Sequence, residues 1–138
     1  MAVAILDTNV YIDHWEQGLY QATLENLRRA YLIRHSAVVL SELRRGSRGR
    51  EAERLVASFF ELATIRWEPL VADWWEAGRL VRSIGDKQDW DINKRRDFQN
   101  DALIALTARR HGATVVTADY SDFDLLRSEL RISVLQAR

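Results

Sequence analysis

Two hydrophobic periods alternate along the chain. Ala2-Val3-Ala4-Ile5-Leu6 is an unbroken apolar run that stops at Asp7, the pattern of a strand buried on both faces. The Thr8/Asn9 pair then predicts the cap of a helix over Asn9–Trp15. Leu24, Leu27 and Ala30 recur at helical spacing over Ala22–Ala30, and Leu32–His35 predicts a second strand. Ser36 is placed to cap a helix over Ala37–Arg45, which Gly46 stops. A basic loop at Ser47–Arg50 leads into an amphipathic helix over Ala52–Ala63 (Leu55, Val56, Phe59, Phe60 and Leu62). Thr64–Trp67 predicts a third strand and Val71–Ile84 a further helix. Gly85–Asp97 is polar and predicts the most mobile loop of the chain. A helix from about Phe98 to Arg110 follows, ended by His111-Gly112. Thr114–Thr117, Asp122–Arg127 and Ile132–Leu135 predict a strand, a short helix and a last strand.

Strands alternating with helices predict an α/β fold with a mainly parallel sheet covered on both faces. The sequence shows no repeat, low-complexity tract or linker, and Pro69 is its only proline. Residues 1–138 are therefore expected to form a single domain. In sheets of this kind the functional crevice lies beyond the carboxyl ends of the strands.

Composition narrows the chemistry. The absence of cysteine removes disulfides, zinc–thiolate sites and thiol nucleophiles. No apolar run approaches the length of a membrane span, and Asp7 interrupts the first run too early for a secretion signal. A cytoplasmic protein without a membrane partner is expected. Net charge is zero, unlike that of a strongly basic nucleic-acid binder. Yet 18 of the 20 basic residues are arginine, with clusters at Arg28-Arg29, Arg44-Arg45, Lys94-Arg95-Arg96 and Arg109-Arg110. Arginine pairs bidentately with phosphate, and is equally at home on a solvated surface.

The acids stand at informative places. Asp7 ends the first strand; Asp119 lies two residues past Val115-Val116-Thr117, with Asp122 three further on. Asp101 falls in the first turn of the predicted Phe98–Arg110 helix, near its positive end. Glu42 sits inside the apolar stretch Ala37–Leu43. Each alone has a plainer explanation as a cap, a first-turn acid or an exposed helix residue. Several acids at predicted strand and helix ends imply a shared crevice, where carboxylates repel and a cation resolves the conflict. With no cysteine and only His14, His35 and His111 scattered along the chain, the donors are oxygen and the expected metal is Mg²⁺ or Mn²⁺.

Four segments resemble the PIN-domain nucleases and, within them, the toxin component of bacterial VapBC systems. They are Ile5-Leu6-Asp7-Thr8-Asn9, Ser41-Glu42-Leu43-Arg44-Arg45-Gly46, Asn100-Asp101-Ala102-Leu103-Ile104-Ala105, and Thr117-Ala118-Asp119-Tyr120-Ser121-Asp122-Phe123. Their order and spacing fit nearly the whole chain. The resemblance implies a three-layer α/β/α sandwich and Mg²⁺- or Mn²⁺-dependent cleavage of RNA. By position Asp7, Glu42, Asp101 and Asp119 match the acidic quartet that binds metal, and Asp122 is a weaker fifth member. Thr8 and Thr117 match the hydroxyls beside those acids, and Asn9 follows the pattern as well. Arg44, Arg45, Arg95 and Arg96 are placed to hold flanking phosphates. RNA selectivity is expected in Ser47–Arg50 and Gly85–Asp97.

Five tryptophans in so short a chain suggest a protein interface. Trp74 and Trp75 point about 100° apart on a helix, so one is expected in the core and the other outside. The resemblance implies two partners, a second copy of the chain and an antitoxin peptide over the early helices. Other readings are a housekeeping RNA-processing nuclease and a non-catalytic RNA-binding or regulatory module of the same fold. An acid-nucleophile phosphatase is disfavoured, because Asn9 stands where such enzymes place a second aspartate.

Overall fold

A computed structural model of the protein describes residues 1–18 and 21–137. Its elements run β1 (Ala2–Leu6), α1 (Thr8–Gln17), α2 (Gln21–Ala30), β2 (Tyr31–Ser36), α3 (Ala37–Gly46) and α4 (Gly49–Leu62). They continue as β3 (Arg66–Trp67), α5 (Val71–Gln88), α6 (Ile92–Arg110), β4 (Thr114–Thr117), α7 (Tyr120–Arg127) and β5 (Ser133–Gln136). The five strands pair in parallel in the order β3-β2-β1-β4-β5. Helices flank this sheet, giving the expected α/β/α sandwich.

β1 is central because its Ala4, Ile5 and Leu6 are buried, as are Val115 and Val116 of the neighbouring β4. Ile5 registers with Val115 and Leu6 with Val116, and the Asp7 amide extends the contact by donating to the Val116 carbonyl at 2.8 Å. From β1 the chain builds outward through β2 and β3 on one side, then returns to β4 and β5 on the other. The reversal leaves a crevice past the carboxyl ends of β1 and β4. The carboxyl half of α6 is buried on every side, from Ala102 to Ala108. Its alanine, leucine and isoleucine content suits a helix enclosed by other layers rather than lying at a surface.

The largest difference from the sequence-based expectation lies at Gly85–Asp97, which is not a mobile loop. α5 continues to Gln88 and α6 starts at Ile92, so only residues 89–91 connect them. Asp89, at φ 54°, ends α5 in the left-handed conformation. Asp91 caps α6, its Oδ1 accepting from the Lys94 amide at 2.8 Å. Arg95 folds back to donate to the Trp90 carbonyl and to Asp86 Oδ1, both at 2.9 Å. Gly85 leaves room beneath it: a Cβ there would lie 2.9 Å from the guanidinium, and the Arg95 side chain would have to shift. The polar residues serve a helical hairpin. Removing the cap with Asp91→Ala should cost about 1 kcal/mol, read as a lower urea midpoint with an unchanged slope.

Other differences are smaller. Gly49 and Arg50 belong to α4, so the basic loop shrinks to Ser47-Arg48. The cap of α1 is Asp7 rather than Thr8 or Asn9. Neither Trp74 nor Trp75 enters the core; they are 50% and 85% exposed. α5 buries Asp73, Ala77, Leu80 and Ile84 instead. Asp73 can take that inner position because its carboxylate accepts from the Leu70 amide at 2.8 Å and pairs with Arg110. Among the described residues, no helix is long and apolar enough to cross a membrane.

Candidate active site

Asp7 is fixed by the two strands that form the crevice. Its Oδ1 accepts from the Thr8 amide at 2.8 Å, and its Oδ2 from the Thr117 hydroxyl at 3.0 Å. Asp7, Thr8 and Thr117 are all buried. Thr8 turns its own hydroxyl to Glu42 Oε1 at 2.8 Å, tying α1 to α3. At the other strand end the Asp119 amide donates to Thr117 Oγ1 at 3.0 Å, and Ser121 Oγ donates to Asp119 Oδ1 at 2.8 Å. Two threonines therefore orient the carboxylates of Asp7 and Glu42, Thr117 also holds the Asp119 backbone, and Ser121 orients the Asp119 carboxylate. Asn9 is exposed on the first turn of α1.

Asp101 is the tenth of the 19 residues of α6, at mid-helix rather than in the first turn. No helix terminus offsets its charge there. Its pKa is raised well above the ordinary carboxylate value by burial first, then by the charge of Asp7, a hydrogen bond shared with Asp122, and the charges of Asp122 and Glu42. Asp7 is likewise pushed up to about 6, chiefly by burial; the Thr8 amide and Thr117 hydroxyl work against the shift, while Glu42 and Asp119 add to it. Glu42, Asp119 and Asp122 thus act electrostatically on Asp7 or Asp101, so the five acids lie near one another at this end of the sheet, Asp119 on its exposed side.

A cation also stands there. Lys94 Nζ donates to Asp122 Oδ1 and Oδ2 at 2.9 and 2.8 Å. Burial disfavours the ammonium, but its bonds to Asp122 and the charges of Asp122, Asp101 and Asp119 outweigh that and raise its pKa. Sequence reasoning placed Lys94 only in a basic cluster. The missed signal was the Asp91 cap: once α6 starts at Ile92, Lys94 lies seven residues before Asp101, on the same helical face. The arginines divide. Arg95 is held within the α5–α6 hairpin by Asp86 and the Trp90 carbonyl. Arg44, Arg45 and Arg96 are exposed, and Arg44 lines a cleft of about 890 Å³ between α3 and α4.

The donor set suits a hard divalent ion: oxygen only, with carboxylates that destabilise one another when ionised. Among the described residues, no three His, Asp or Glu side chains converge into a ready-made ligand cluster. Mg²⁺ does not need one, since it binds through one or two carboxylates and keeps several waters.

The fold recurs in known structures. VapBC2 from Rickettsia felis, bound to a promoter DNA fragment, matches at a TM-score of 0.68 and 23% identity, over 97% of this chain and 98% of that one. VapBC-1 from nontypeable Haemophilus influenzae matches at 0.71 and 19%, over 98% of both chains. VapBC-5 from Mycobacterium tuberculosis, a member of the VapBC family of toxin–antitoxin systems, matches at 0.61 and 21%, over 100% of this chain and 99% of that one. At these identities the likeness is one of fold. A search of curated proteins by sequence finds no significant match. Residues 4–127 match the PIN domain, a stretch that carries all five crevice acids as well as the β1–β4 core, and the chain belongs to the PIN domain family.

Proposed function

We propose that the protein is a Mg²⁺- or Mn²⁺-dependent endoribonuclease and the toxin of a toxin–antitoxin pair. The observation that carries this reading is the acidic crevice at the β1/β4 switch point, with the pKa of Asp7 at about 6 and that of Asp101 raised well above normal. Such a concentration of repelling carboxylates costs folding energy and marks a functional site rather than a packing solution. Asp7, Glu42, Asp101 and Asp119 hold the metal, with Asp122 at the margin. The bound ion supplies Lewis acidity, which acidifies water and offsets the charge that builds on a phosphodiester under attack. Thr117 and the Thr8 amide hold Asp7 in one orientation, and the Thr8 hydroxyl does the same for Glu42. Arg44, Arg45 and Arg96, exposed around the crevice helices, hold flanking phosphates and make binding salt-dependent.

Two surfaces support protein partners. Tyr11, Trp15, Leu24, Leu27 and Phe59 line a cavity of about 500 Å³ between the early helices and α4, suited to an apolar antitoxin segment. The toxin–antitoxin assignment of the structural neighbour from Mycobacterium tuberculosis points the same way. The exposed Val71, Trp74 and Trp75 on α5 suit a second copy of the chain. The enzymatic reading is tested with structured RNA. Cleavage should need Mg²⁺ or Mn²⁺, stop with EDTA and return when metal is restored. Cleavage that persists in EDTA would sink it.

A further inference from the structure

Lys94 is anchored at both ends beside the acids, with its side chain 38% exposed. Its amide is held by the Asp91 cap and its ammonium by both oxygens of Asp122. The ammonium also lies 5.0 Å from the centre of the Trp90 ring. Trp90 is itself immobilised: it packs edge-on to the fully buried Phe98 at 4.7 Å, its amide donates to the Gly85 carbonyl at 3.0 Å, and its carbonyl accepts from Arg95. The residue type is informative too. The chain uses arginine at 18 of its 20 basic positions, yet has lysine here. An ammonium is a compact point charge on a flexible stem, close to a small cation in shape, whereas a guanidinium is a planar fork.

We propose that Lys94 is a tethered cation that fills the acidic crevice of the metal-free protein and is displaced from Asp122 when a divalent ion binds. The inference rests on the metal-dependent reading above and names the residue that regulates the same site. Asp122 and Asp101 act on one another electrostatically, and the Lys94 ammonium feels the charges of Asp101 and Asp119. A divalent ion among these acids repels the ammonium and competes with it for the Asp122 oxygens. Lys94 thereby limits the self-repulsion of the empty site and lowers its metal affinity. It is a positioning residue, since it acts through Asp122.

The test reads metal binding directly. The chain has two lysines, Lys87 and Lys94. Lys87 lies 3.8 Å from Glu129, outside the crevice, and serves as an internal control. With ¹⁵N-labelled lysine side chains, a Mg²⁺ titration should move the Lys94 Nζ resonance and leave that of Lys87 in place. By calorimetry, Lys94→Met should bind Mn²⁺ about tenfold more tightly than the natural chain, with Lys94→Arg between the two. A Lys94 resonance that stays fixed while Mg²⁺ binds overturns the proposal. So does Lys94→Met affinity equal to or weaker than that of the natural chain, provided Asp101→Asn still abolishes binding; the metal site then stands without a role for Lys94. Absence of Mg²⁺ and Mn²⁺ binding by the natural chain overturns both readings together.

Discussion

Asp7→Asn and Asp101→Asn should each slow metal-dependent RNA cleavage by about 10²–10³-fold, equivalent to roughly 3–4 kcal/mol of lost transition-state stabilisation. Both substitutions keep size and shape and remove one ionisable oxygen. In Asp7→Asn the new side-chain carbonyl can still accept from the Thr8 amide, and the new NH₂ can donate to the Thr117 hydroxyl, so the crevice should keep its form. The loss is then chemical rather than structural. Asp122→Asn should cost less than Asp101→Asn, because Asp122 stands at the margin of the proposed metal site. Initial rates on a labelled RNA, with thermal melts of each variant as a folding control, measure these differences. Asp101→Asn activity within about threefold of the natural chain would place the chemistry elsewhere.

The second large effect is on stability, and it runs against the usual direction for carboxylates. The pKa of Asp7 rises from 3.8 to about 6 in the folded protein, and that of Asp101 is raised well above 3.8. Between the unfolded and folded pKa values the folded chain therefore binds more protons than the unfolded one. The stabilising contribution of these groups is fully present below about pH 4 and is lost as pH rises through 6 and beyond. For Asp7 alone a shift of that size corresponds to roughly 3 kcal/mol. In EDTA, Asp7→Asn and Asp101→Asn should each gain on the natural chain in urea-derived stability as pH goes from 5 to 8. Comparing variants matters, because the pKa values of His35 and His111 are lowered and those groups add stability as pH rises. Mg²⁺ should stabilise the natural chain at pH 8 far more than at pH 5, since only ionised acids hold it. Stability curves for the natural chain and the two variants that stay parallel across this range would contradict the electrostatic account.

Metal-free stability and the proposed activity are thus in opposition at the same side chains. Burial forces Asp7 and Asp101 toward protonation, while the proposed metal binding needs their charge. Lys94 and a divalent ion are alternative ways of meeting the same need for positive charge, and only the second brings Lewis acidity.

The alternation of apolar runs with helical stripes was enough to predict five strands in a mainly parallel sheet, most of the helical segments between them and the strand-end positions of Asp7 and Asp119. These features are local: a strand buried on both faces must be apolar throughout, and a chain leaving it must turn at a polar residue. Three things were decided only in three dimensions. Gly85–Asp97 is polar for reasons of hairpin packing, since Arg95 satisfies the Trp90 carbonyl and Asp86 across the turn and Gly85 makes room for it. Trp74 and Trp75 both stay outside because an ion-paired Asp73 takes the inner face of α5, a preference no hydropathy scale contains. Lys94 reaches the acids of a helix 28 residues away only when α6 and α7 pack together. Sequence position singled out the acids as candidates; the burial of Asp7, the repulsion acting on Asp7 and Asp101 and the cation beside Asp122 are properties of the packed chain, where the low dielectric and fixed distances that set their energies first exist.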